Sequence, residues 1–167
     1  RPRHPQWTYS RRGLHSFGSV HACSGRNECQ HGKSPDSLRY LSPLRYPGGK
    51  ARLAPYLERL IRAQTPQPTQ YAEPFAGGAG AALHLLHNGV VDQIHLNDLN
   101  PGIAAFWRAS LDFPNQFCRR IRDVPLNLEE WRKQSEIYAS PSGRDDLELG
   151  FATFYLNRTN RSGILDA

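Results

Sequence analysis

Tyr71-Ala72-Glu73-Pro74-Phe75-Ala76-Gly77-Gly78-Ala79-Gly80-Ala81-Ala82-Leu83 is the stretch on which the fold turns. Tyr71 to Phe75 read as a short buried strand that ends at its proline. Ala76 to Gly80 form a loop, and Ala81 to Asn88 a helix closed by Gly89 in the C-terminal capping position. Glycine in such a loop lets the backbone approach a ligand without a Cβ in the way and take a positive φ. Val90 to Asn97 read as a second strand ending in Asn97-Asp98. Asn100-Pro101 supplies an N-cap and a proline at the first helical position, opening a helix through about Leu111. Strand, glycine turn, helix and strand with an acid at its end predict an α/β fold containing a Rossmann-like half.

Upstream, Arg45-Tyr46-Pro47-Gly48-Gly49-Lys50 reads as a turn before an amphipathic helix from about Ala51 to Ala63. Leu53, Leu57, Leu60 and Ile61 place one apolar stripe at helical period, and Pro55 fits in the first turn. Gln64 to Pro68 form a loop. Downstream, Pro114–Asp123, Leu128–Tyr138 and Asp145–Asn157 carry apolar residues at helical spacing, clearest in Leu147, Phe151, Phe154 and Tyr155. A helix-rich insertion after the second strand departs from the plain alternation of a doubly wound sheet.

The net charge is +6, but residues 1–38 hold six Lys/Arg against two acids, leaving 15 basic and 13 acidic residues for the rest. Basicity alone therefore names no DNA partner for the folded part. Residues 1–40 lack helical or alternating period, and the expectation is a disordered segment or an extension outside the domain. His21, Cys23, Cys29 and His31 within it have metal-ligand chemistry, but the C-x5-C spacing is not the C-x2-C of zinc modules, so no metal is assigned. Three cysteines make no disulfide framework, and neither a membrane span nor a secretory signal is evident. A cytoplasmic setting is the default expectation. The absence of methionine and the ending at Ile164-Leu165-Asp166-Ala167 suggest a fragment.

Asp98 follows Gly80 by 18 residues, close to the spacing at which a Rossmann acid accepts hydrogen bonds from ribose hydroxyls. The dinucleotide fingerprint G-x-G-x-x-G/A fails at Leu83, which disfavours a nicotinamide-dependent oxidoreductase, although Asp98 would serve either ribose. No G-K-[ST] opens the helix, so the phosphate-cradling P-loop fails too. A ligand with a ribose and no phosphate, such as S-adenosylmethionine, suits what remains. An ordinary glycine-rich turn stays open as the alternative for this loop alone.

Three separated motifs together resemble the Dam-type DNA adenine-N6 methyltransferases. Arg45-Tyr46-Pro47-Gly48-Gly49-Lys50 resembles their aromatic-x-Gly-Gly-Lys signature, Glu73 to Gly80 their E-P-F-x-G-x-G loop, and Asn97-Asp98-Leu99-Asn100-Pro101 their N-D-x-N motif. Phe154 to Gly163 is similar to the F-x-L-N-R segment that leads into the family's DNA-recognition region. The resemblance covers about residues 44–165. It departs at Ala79, where the family has glycine, and no D-P-P-Y catalytic motif occurs anywhere in the chain.

The resemblance implies an incomplete Rossmann-like methyltransferase fold, with S-adenosylmethionine as cofactor and double-stranded DNA as partner, joined by a cognate restriction endonuclease where the parent serves a restriction–modification system. Residues 41–113 would form the cofactor half and 114–167 the helical start of the target-recognition region. Tyr46 and Lys50 would line the cofactor site, Lys50 near the methionine carboxylate or a DNA phosphate. Phe75, Gly77 and Gly80 would shape the pocket, with a core position as the alternative for Phe75. Asp98 would bind the ribose, its alternative being a helix cap, a role that Asn100 can fill. Asn157, Arg158, Asn160 and Arg161 would approach DNA, or else form a solvated helix end. The chain is then a methyltransferase part without its catalytic residues, or a non-catalytic module that holds cofactor or DNA. A sheet lacking its C-terminal strands would also expose an edge prone to aggregation.

Overall fold

The computed structural model describes residues 7–10, 41–46 and 48–165. Trp7–Ser10 (β1), Gln70–Glu73 (β2) and Gln93–Leu96 (β3) form a three-stranded sheet in the order β1-β3-β2. β2 and β3 run parallel, with Tyr71 opposite Ile94 and Glu73 opposite Leu96. Parallel neighbours need a crossover, and the helix Gly80–His87 (α2) supplies it. This helix ends as its sequence dictates. Gly89 takes φ +63, its N–H bonds to the Leu86 carbonyl, and the Val90 N–H bonds to the Leu85 carbonyl, so two otherwise orphaned acceptors are satisfied. Val90 and Leu85 are both buried, adding the apolar contact that accompanies this cap.

β1 runs antiparallel to β3, Trp7 opposite Leu96 and Ser10 opposite Gln93. These four residues thus form an edge strand of the sheet. Trp-Thr-Tyr-Ser suits a pleated surface by residue type, but its partner is 80 or more residues away and invisible to local pattern. His21, Cys23, Cys29 and His31 lie outside the described residues.

The helix expected over 51–63 starts as a 3-10 turn at Lys50–Leu53 and becomes α-helical at Ala54–Arg62 (α1), with Pro55 in its first turn. The tighter turn rotates Leu53 off the stripe; Leu57 and Ile61 pack on the core, and Leu53 and Leu60 stay exposed. β2 is also less buried than expected. Gln70 and Ala72 are exposed and only Glu73 is buried, because β2 has β3 on one side and no partner strand on the other among the described residues.

Four more helices complete the fold: Pro101–Asp112 (α3), Pro114–Asp123 (α4), Leu128–Ala139 (α5) and Asp146–Thr159 (α6). Asn100, Asn127 and Asp145 cap α3, α5 and α6 through side-chain oxygens that accept first-turn N–H groups. α3 and α6 cross closely because small residues meet there. A Cβ on Gly150 would lie 2.6 Å from the Ala105 carbonyl oxygen, and Ala105, Ala109 and Ala152 are wholly buried. Phe106 at the centre stacks on Phe154 with ring centroids 6.0 Å apart and meets Trp107 and Phe117 edge to face. The helices after residue 113 thus share one core with the β2-α2-β3 unit.

Candidate cofactor site

The C-terminal ends of β2 and β3 continue side by side past their formal limits. The Asn97 N–H donates to the Glu73 carbonyl at 3.1 Å and the Ala76 N–H to the Asn97 carbonyl at 2.9 Å. This carries the glycine loop alongside Asn97-Asp98, at the strand edge where open α/β sheets bind ligands. Gly77 is buried, has φ +50 and donates its N–H to Asp98 Oδ2 at 2.8 Å. Asp98 Oδ1 accepts from the Asn100 N–H at 3.0 Å. Asn100 caps α3 through its own Oδ1, bonded to Gly102 and Ile103 at 2.8 and 3.2 Å. The cap thus falls to Asn100, and Asp98 faces the loop. An ionised carboxylate offers about four acceptor positions, so two remain on this partly exposed group.

Tyr46 lies over the loop. A Cβ on Gly77 would sit 2.8 Å from two Tyr46 ring carbons, so glycine is required here by sterics and by φ alike. The Gly77 carbonyl accepts from Trp107 Nε1 at 2.9 Å, which ties the loop to the core. Phe75 is 67 % exposed, which settles its position as a surface aromatic and not a core residue. Leu99, one residue past Asp98, is 81 % exposed, an apolar surface that the motif reading did not single out.

Gly80 is placed otherwise than expected. The space beside it is filled by Ala51, whose Cβ would be 2.9 Å from a Cβ at Gly80, so this glycine seats α2 against the amino-terminal turn. Ala79 sits at φ 50, ψ 30 as the N-cap of α2, the left-handed conformation that glycine adopts more readily.

Lys50 is also turned inward. Its ammonium lies 3.1 Å from Glu73 Oε1 and donates to the Phe75 carbonyl. Glu73 is 1 % exposed; its Oε2 accepts from the Ala82 N–H at 3.0 Å, and its Oε1 has the ion pair without a well-aligned hydrogen bond. Ala79 has no side chain able to cap α2, so Glu73 satisfies an orphan first-turn N–H from the neighbouring strand. Burial and then the Glu73 charge push the Tyr71 hydroxyl up from its ordinary pKa. Motif reading did not place Glu73 in the site. An acid at a strand end before a helix with no capping residue was the available signal.

Two of the four residues expected at the DNA do not face solvent. Asn157 is wholly buried, its Oδ1 accepting from the Arg45 N–H at 2.8 Å and its Nδ2 donating to the Arg45 and Gly163 carbonyls at 2.7 and 3.0 Å. Asn160 is 8 % exposed, bonded to Trp131 Nε1 at 2.7 Å and to the Ile164 carbonyl at 2.8 Å. Both amides satisfy buried polar groups within the fold. Arg158 and Arg161 are exposed. An apolar cavity of about 390 Å³ lies apart from these polar groups, bounded by Ile94, Leu96, Phe106, Leu111 and Phe117.

Residues 46–163 match the family model for the D12 class N6 adenine-specific DNA methyltransferase. The match spans most of the chain and contains every motif above except Arg45, and the chain belongs to that family. Its members are enzymes that methylate adenine in DNA. No curated protein matches the sequence.

Proposed function

We propose that the edge formed by the ends of β2 and β3 binds S-adenosylmethionine, within a Rossmann-like half of an adenine-N6 methyltransferase. The observation that carries this reading is the bridge from Asp98 to the Gly77 N–H, which sets a carboxylate with free acceptor positions among exposed apolar side chains. The cofactor supplies a methyl group on a sulfonium. Asp98 accepts hydrogen bonds from the ribose hydroxyls, while Tyr46, Phe75 and Leu99 offer apolar surface to the purine. Lys50 fixes the loop through Glu73 and the Phe75 carbonyl. Arg158 and Arg161 pair with phosphates of double-stranded DNA, a contact that weakens with added salt.

The target adenine must leave the helical stack before its amine can be reached. Acceptors must then hold the amine's protons so that its lone pair points at the methyl. No Asp-Pro-Pro or Asn-Pro-Pro occurs in the sequence, and on this reading the residues named above bind and position the ligands.

Isothermal titration of S-adenosylmethionine into the 167-residue protein, with NAD⁺ as the control, tests the reading. Binding that Asp98→Ala weakens by at least about tenfold supports it, the scale of a hydrogen bond to a charged group being about 1.5–3 kcal/mol. No binding by a demonstrably folded protein, or equal binding of NAD⁺, overturns it.

A further inference from the structure

Arg45 and Asn157 are 112 residues apart, yet one side-chain amide holds both backbone polar groups of Arg45. Asn157 thereby pairs with Arg45 as a strand neighbour would, and both of its amide hydrogens are used, the second on the Gly163 carbonyl. Gly163 closes this contact. It has φ +74, and a Cβ there would lie 2.5 Å from the Arg45 carbonyl oxygen and 3.0 Å from Asn157 Nδ2. Three segments therefore meet on one buried amide: the 45–46 turn, the last turn of α6 and the 161–163 turn.

What lies on either side of this junction gives it consequence. Tyr46 follows Arg45 directly, and its ring covers Gly77, whose N–H is held by Asp98. Arg158 and Arg161 flank Asn157 and Gly163 and are exposed. We infer that Asn157 is a positioning residue that couples the two ligand sites: DNA held by the arginines fixes the end of α6, which fixes Arg45 and so the ring of Tyr46 over the glycine loop. Cofactor and DNA then each tighten the other's binding by the same factor, as linkage requires. The inference rests on the cofactor and DNA reading proposed above.

The test measures affinity for S-adenosylmethionine by titration calorimetry with and without a saturating adenine-containing duplex. The unmodified protein should bind about tenfold tighter with DNA, within the range of known allosteric couplings. Asn157→Ser and, independently, Gly163→Ala should bring that ratio to about one while each ligand still binds alone. A merely structural role would weaken both affinities and leave the ratio unchanged, which overturns the inference. Hydrogen exchange on the unmodified protein needs no variant. DNA alone should slow exchange of the Arg45 amide severalfold, and an unchanged rate overturns the coupling even where the variants fail to fold. If neither ligand binds the folded protein, the functional reading itself has failed; if both bind independently, only the coupling has.

Discussion

The backbone N–H of Gly77 is held by the carboxylate of Asp98, 21 residues further along the chain and at the end of the adjacent parallel strand. The site and the fold depend on the same bond. Gly77 is buried, so Asp98→Ala leaves its N–H without an acceptor, a loss of about 1–3 kcal/mol. Urea unfolding of the variant should show a lowered midpoint. Asp98→Asn, which keeps one acceptor oxygen, should lose less.

Glycine at 77 is demanded by its neighbour as well as by its φ. Gly77→Ala drives a methyl group into the Tyr46 ring at 2.8 Å, whereas Gly143, with φ +79, has open space where a Cβ would stand. Gly143→Ala should therefore lose about 1–2 kcal/mol, from the left-handed backbone alone. Gly77→Ala should lose more and should also weaken cofactor binding. Paired thermal melts and titrations measure both quantities.

Glu73 is buried and Lys50 provides its counter-charge. Removing one partner of a buried pair costs about 3–5 kcal/mol, and the partial exposure of Lys50 reduces that here. Lys50→Met should still destabilise the protein more than the double substitution Lys50→Met, Glu73→Gln, which leaves no uncompensated charge. Equilibrium unfolding of the two variants compares them directly.

Glu58 joins α1 to α2 through its 2.7 Å contact with the buried His84. Desolvation pushes its pKa up, but hydrogen bonds from His84, Arg62 and Asn88 outweigh this and bring it below the ordinary 4.5. A carboxyl depressed on folding stabilises above its unfolded pKa and loses that contribution as pH falls through the folded value. Melting temperature should drop as pH falls below about 4.5, and Glu58→Gln should flatten part of that drop.

Local chemistry made much of this fold readable. α4 occupies the predicted residues 114–123 because a proline opens it and apolar spacing defines it, and Gly89 closes α2 with the cap its position foretold. The parallel β2-α2-β3 unit and the positions of Gly77 and Asp98 at one edge likewise followed from a strand, a glycine loop and an acid in order. What was hidden depends on pairing at long range. Trp7–Ser10 alternates aromatic and hydroxyl residues over only four positions, too short a run to name its partner, and is fixed by β3. Asn157 and Asn160 look like a polar helix end in sequence, and only the arrival of Arg45, Trp131 and the 161–164 turn makes them buried clamps. Lys50 looked free for a ligand because nothing local shows that Glu73, 23 residues later, is buried against it.

Backbone amide shifts recorded while S-adenosylmethionine is titrated into the ¹⁵N-labelled protein locate the cofactor on the fold. Saturable shifts should concentrate at Tyr46, Phe75, Gly77, Asp98 and Leu99, with little change around α4 and α5. Shifts centred elsewhere, or none in a well-dispersed spectrum, would contradict the proposed site.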